Sequence, residues 1–145
     1  MARVKLDLKE ALKKKRETEV ATLRLLLAEL HNRAIALQRE LTTEEVLGVV
    51  RREIRKREES IEAYRQGKRD DLVRKEEREL MILKRYLPPQ ISPQKLKEII
   101  EQTRIEVKAK DRADFGRLMK AVMGKVKGRV EGSIVAKLVG EQLGD

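Results

Sequence analysis

Apolar residues recur at intervals of three and four along almost all of this chain, and nothing else in the sequence restricts its fold as tightly. That spacing marks one face of an α-helix, which turns once every 3.6 residues or so. The longest run is Val20, Leu23, Leu27, Leu30, Ala34, Leu37 and Leu41. A seam this regular needs a long helical neighbour. A bundle within the same chain supplies one more simply than an intermolecular coiled coil. No alternating strand pattern of useful length competes, so the sequence predicts an all-α protein.

Caps and breakers divide the pattern into helices. A short helix is predicted over residues 4–15, with Val4, Leu8, Ala11 and Leu12 on one side, and the long one from Glu17 to near Gln38. Thr42 and Glu45 have capping-box spacing, in which each side chain satisfies the other's free backbone N–H. They open a third helix that turns Val46, Val50, Ile54, Ile61 and Tyr64 inward. Its outer face is read as Arg51, Arg52, Arg55, Lys56 and Arg57, followed by Glu58, Glu59 and Glu62, pairing along the helix. Gly67 is the expected left-handed stop. Asp70 and Asp71 suit the N-terminal dipole of a fourth helix, whose apolar positions are Leu72, Val73, Leu80, Met81, Leu83 and Leu87. Pro88-Pro89 ends it, since proline restrains the residue before it and donates no backbone hydrogen bond.

Ser92-Pro93 starts again, with a hydroxyl cap followed by proline in the first turn. The face of this helix is Leu96, Ile99, Ile100, Thr103 and Val107, and Lys108 to Arg112 reads as a polar connector. Two more helices are expected, from Ala113 to Met123 and from a Ser133 cap to Leu143, the last packing Val135, Leu138, Val139 and Leu143. The expected architecture is a four-helix unit, residues 1–91, joined by a Pro-Pro hinge to a small three-helix unit, residues 92–145. Two small cores linked through few residues are expected to move relative to each other.

Composition narrows the function classes. Aromatic residues are 2% of the 145, so the core must be aliphatic. There are 35 basic and 25 acidic residues, a net charge of +10, which favours nucleic acid or another anionic partner. The absence of cysteine excludes disulfides, thiol catalysis and cysteine-held metals. No apolar run is long enough to span a membrane, and the first residues lack the apolar core of a signal peptide. A cytoplasmic protein, a monomer or weak dimer without membrane contact, is therefore expected. The single Asn, the missing Cys and the abundant Arg and Glu resemble a heat-loving composition.

Self-sufficient catalytic machinery is not legible. His31 is the only histidine, and its neighbours one turn away are Leu27, Ala28, Ala34 and Ile35, which reads as a partly packed residue without a catalytic partner. Ser92 and Ser133 read as caps. No His or Cys pair has metal-ligand spacing. The Gly-x-x-x-Gly repeats at Gly124, Gly128 and Gly132 lack the Gly-Lys-Ser/Thr and preceding strand of a phosphate loop. No catalytic residue, metal or cofactor is expected.

One stretch stands apart. Between Phe115 and Val130 there are five basic residues and no acid: Arg117, Lys120, Lys125, Lys127 and Arg129. Phe115, Leu118, Met119, Val122 and Val126 give the same stretch a packing face. These five cations and the bare backbone at Gly128 are the candidate nucleic-acid contacts. With few aromatics to stack on bases, recognition would rest on phosphates and RNA shape. The competing reading of the segment is a solvated helix end.

Three motifs occur in order: Thr22-Leu23-Arg24-Leu25-Leu26, then Tyr86-Leu87-Pro88-Pro89-Gln90-Ile91-Ser92, then Asp114-Phe115-Gly116-Arg117-Leu118-Met119 with Lys125-Val126-Lys127-Gly128-Arg129-Val130-Glu131-Gly132. Together they resemble the YqeY family, itself similar to the C-terminal helical and tail domains of the B subunit of glutamine-dependent aspartyl/glutamyl-tRNA amidotransferase. The sequence departs from the family pattern at Gly124, where proline is expected, and at Glu131, where aspartate is expected. The resemblance implies a helical bundle with a small tail domain, and a stand-alone, non-catalytic tRNA- or RNA-binding accessory protein. It carries an association with carbon–nitrogen ligase activity using glutamine as amide donor, as a component of such an amidotransferase. A helical protein-interaction module that binds a protein partner and no RNA is the other alternative.

Overall fold

A computed structural model describes residues 1–144. Among these it contains no strand and seven α-helices: α1 Ala2–Lys13, α2 Glu17–Leu37, α3 Thr43–Gln66, α4 Asp70–Lys84, α5 Pro93–Val107, α6 Phe115–Val126 and α7 Gly132–Leu143. A 3-10 turn, Arg112–Asp114, leads into α6. The residues group into two compact units, Met1–Leu87 and one that begins at Pro88.

In the first unit α1 packs on α2, α3 on α4, and α2 touches both α3 and α4. The core is aliphatic, with Val4, Leu23, Leu26, Leu30, Val50 and Leu83 almost completely buried. Each leucine taken fully out of water contributes about 1.5–3 kcal/mol. The inner face of α2 is therefore Leu23, Leu26 and Leu30, with Thr22 beside them. This differs from the expected stripe, because Leu26 replaces Leu27 as a fully buried residue. Thr22 is accommodated because its hydroxyl donates to the Thr18 carbonyl at 2.8 Å. Met81, expected inward, is exposed, and Ile82 takes its place in the core. His31 is exposed, not partly packed.

The capping box at α3 forms as expected, with Thr42 Oγ1 accepting from the Glu45 amide and Glu45 Oε1 accepting from the Thr42 amide. Arg39 adds a two-pronged bond to the same carboxylate, at 2.7 and 3.0 Å. Arg57 departs from its expected place on the outer face. Its side chain is only 14% exposed, and Nε lies 2.9 Å from Glu79 and 3.5 Å from Glu76 on α4. Burial, and then the neighbouring Glu79 charge, push the Glu76 carboxyl above its ordinary value.

Helix α3 stops by a different route from the one expected. Gly67 keeps a negative φ, and the left-handed residue is Lys68, with φ 56°. Lys15, Gln38 and Lys108 end α1, α2 and α5 in the same way. Each is followed by an amide that donates five residues back: Arg16 to Ala11, Arg39 to Ala34, Arg69 to Tyr64, and Ala109 to Arg104. That long bond is the signature of the Schellman ending, and here it holds non-glycine residues in a conformation glycine usually occupies.

The second unit packs α5, α6 and α7 pairwise. Leu96, Ile100, Leu118, Val122, Val126, Val135 and Val139 are fully buried at its centre. Ser92 caps α5 as expected, Oγ accepting from the Lys95 amide at 3.2 Å. Ser133 is not a cap, because α7 begins at Gly132 with Glu131 in the cap position. All four residues expected to pack from α7 are buried.

Candidate nucleic-acid interface

Helix α6 carries the first half of the candidate site. Leu118, Val122 and Val126 fix its inner face. At about 100° per residue, Lys120 and Gly124 then lie opposite that face, with Arg117 and Lys125 to the side where α5 packs. Lys120 is exposed and makes no ion pair among the described residues.

Arg117 and Lys125 are engaged with α5. Arg117 Nη1 donates to the Val107 carbonyl, and Nη2 donates to Asp114 Oδ1 at 2.9 Å. The Asp114 carboxyl is held below its ordinary value, first by the Lys110 amide and then by Arg117. Lys125 Nζ lies 2.7 Å from Glu106 Oε2 and donates to Thr103 Oγ1 at 3.0 Å. The buried Thr103 hydroxyl in turn donates to the Ile99 carbonyl at 2.6 Å. Both cations thus sit on the last turns of α5, where positive charge also complements the helix dipole. Each has a carboxylate within ion-pair distance.

The other three candidates lie where α6 ends. Lys127 has φ −50° and ψ 128°, Gly128 has φ 78°, and the Arg129 amide donates to the Val126 carbonyl at 2.9 Å. These values define a type II β-turn with Lys127 and Gly128 at its centre. Its third position requires a positive φ, which glycine adopts without steric cost. Arg129 then anchors the preceding strap of chain. Its Nε donates to the Pro89 carbonyl at 3.1 Å, and its own carbonyl accepts from the Ile91 amide at 3.2 Å. Lys127 and Arg129 are both exposed.

The six candidates are therefore strung along α6 and around one turn. Arg117 and Lys125 are about 12 Å apart along the helix axis. Lys125, Lys127, Gly128 and Arg129 are brought together at one end. The pairing of Arg117 with Asp114 follows from helical spacing. The pairing of Lys125 with Glu106 spans 19 residues and has no local sequence signal. Lys108 and Lys110, read only as connector, are also exposed beside the Arg117 end. Among the described residues no group of three or more His, Asp or Glu could hold a metal, and no helix is long and apolar enough to cross a membrane.

Comparison with known proteins extends these observations. A family model described as Yqey-like protein matches residues 1–143. The chain is 30% identical over 129 residues to "Altered inheritance of mitochondria protein 41, mitochondrial" of Pyrenophora tritici-repentis, covering 87% of this chain and 70% of that protein. The protein of the same name in Clavispora lusitaniae is 33% identical over 115 residues, covering 77% and 66%. That of Vanderwaltozyma polyspora is 32% identical over 111 residues, covering 74% and 60%. The chain thus spans about two thirds of the length of these relatives. Their names overturn the cytoplasmic expectation, since all three are designated mitochondrial. The physical ground for that expectation was weak, because a chain without cysteine suits any reducing compartment. With its motifs in order and a family match running through nearly every residue, the chain belongs to the YqeY family of Yqey-like proteins.

Proposed function

We propose that this chain is an RNA-binding accessory protein whose C-terminal unit contacts the phosphate backbone through Lys120, Lys127 and Arg129. The type II turn at Lys127-Gly128 is the observation that carries this reading. It fixes two exposed cationic residues, Lys127 and Arg129, on either side of Gly128 at one end of α6. Arg117 and Lys125 each have a carboxylate within ion-pair distance and also bond to residues of α5, which ties α5 to α6. The family resemblance favours tRNA as the RNA. The ligase association remains an implication of that resemblance alone.

Contacts of this kind release counterions and carry little sequence information. Three of them predict that binding weakens about 10- to 50-fold between 50 and 200 mM salt. Fluorescence anisotropy of labelled tRNA titrated with the full chain at both salt concentrations tests the reading. Absence of binding at the lower concentration, or affinity indifferent to salt, contradicts it.

A further inference from the structure

Helix α2 has a second stripe on the side away from the core. Ala21, Arg24, Ala28, His31 and Ile35 are all exposed and follow the same alternating spacing of three and four. At about 100° per residue they fall within one quarter of the helix circumference, opposite Leu23, Leu26 and Leu30. Apolar residues recur every seven positions, at 21, 28 and 35, with Arg24 and His31 between them. Ile35 is 72% exposed, and Leu25 on the same side is 52% exposed.

This stripe borders a seam between α1 and α2. At one end an open cavity of about 860 Å³ is floored by Ala34, Ile35, Leu41 and Val46, with Lys5 and His31 at its edge. At the other end a cavity of about 430 Å³ lies between Leu12 of α1 and Val20, Ala21 and Arg24 of α2. Arg24, His31 and Lys5 make no ion pair among the described residues. The carboxylates lining the two cavities are Glu40 and Glu17, one at each end. Arg39 also lines the larger cavity, but its guanidinium is committed to Glu45.

We propose that the seam between α1 and α2 docks an acidic amphipathic helix of a partner protein. Charge selects this occupant. A second copy of the chain would bring the unpaired cations Arg24 and Lys5 against a surface carrying the same cations, which is repulsive. Phosphates find no partner on Ala21, Ala28 and Ile35, and a flat bilayer does not fill a concave seam. A helix with apolar residues seven apart and carboxylates between them satisfies both kinds of position. From Ala21 to Ile35 the stripe runs about 21 Å, four turns of such a helix.

The probe is a fluorescently labelled, side-chain-stapled 15-residue helix with leucines seven apart and glutamates between, and a twin with lysines in place of the glutamates. Each is titrated against the full chain, with amide resonances of the chain followed in parallel. The acidic peptide is expected to bind saturably and shift Ala28, His31 and Ile35, and the lysine twin to bind at least 10-fold more weakly. Ile35→Glu and Arg24→Glu should each weaken the acidic peptide 10-fold or more without altering the helical melt, since both side chains are exposed. Equal binding of the two peptides, no binding of the acidic one, or shifts confined to other helices overturns the proposal. Self-association in sedimentation, or flotation with anionic phosphatidylglycerol vesicles, that is abolished by Ile35→Glu assigns the seam to a second copy or to lipid and overturns it as well.

Discussion

Tyr86, just beyond the end of α4, reaches back to the first helix, and removing its hydroxyl should loosen the N-terminal unit by a calculable amount. The phenol donates to Asp7 Oδ2 at 2.6 Å, and Arg3 stacks over the ring at 5.1 Å from its centre. Burial and the Asp7 bond raise the phenol well above its ordinary value, so it stays a donor through the accessible pH range. A hydrogen bond to a charged acceptor contributes about 1.5–3 kcal/mol. The Asp7 side chain is 39% exposed, so water replaces part of the bond when the hydroxyl is lost. Tyr86→Phe, which keeps the ring and its packing, should therefore cost about 1–2 kcal/mol. With a denaturant slope of about 2 kcal/mol per molar, the urea midpoint falls by about 0.5–1 M. Both tyrosines lie in the first unit. The fluorescence of Tyr64, which remains in the variant, thus follows that unit alone, free of any separate transition in the second. In an Asp7→Asn background the same substitution should cost markedly less, because the partner charge has gone. A midpoint unchanged within error, or an equal loss in both backgrounds, would refute the reasoning.

Three further outcomes follow from local geometry. The Arg39 guanidinium, followed by the Thr42 amide, holds the Glu45 carboxyl down to about 2 from 4.5. A carboxyl depressed on folding stabilises fully above its unfolded value and loses that contribution as pH falls. NMR titration should therefore find Glu45 ionised through pH 4.5, and its pairing weakening as pH approaches about 2; titration near 4.5 would mean that the pairing does not persist in solution. Lys108→Gly should raise the thermal stability of the C-terminal unit by about 0.5–1 kcal/mol, by relieving a left-handed residue; a lower melting temperature would contradict this. Gly128→Ala should cost that unit about 1 kcal/mol, because alanine must take the positive φ of the turn, and an unchanged melt would show that the turn is not held.

Much of the helical fold is legible because short-range spacing decides it. The capping box at Thr42 and Glu45, the Ser92 cap and the four buried residues of α7 all follow from contacts within one or two turns. Misreadings arise where a distant neighbour decides. Arg57 reads as a surface cation until α4 brings Glu76 and Glu79 beside it. Lysines stand at three helix ends where glycine is the usual signal, because a backbone bond five residues long stabilises the ending regardless of side chain. The basic cluster divides for the same reason. Its charge is visible in the sequence, but the pairing of Lys125 with Glu106 spans 19 residues and is visible only in the folded chain.

The salt dependence of tRNA affinity, compared between two variants, tests the central claim most directly. Lys120, Lys127 and Arg129 changed together to Ala should make the slope of log affinity against log salt shallower by about 2–3 and weaken low-salt binding. Lys125→Ala, which removes a cation already paired with Glu106, should leave the slope nearly unchanged. Both variants must first retain the parent's helical melt. A triple variant that binds tRNA as the parent does, or a Lys125→Ala variant that loses as much as the triple one, would contradict the account.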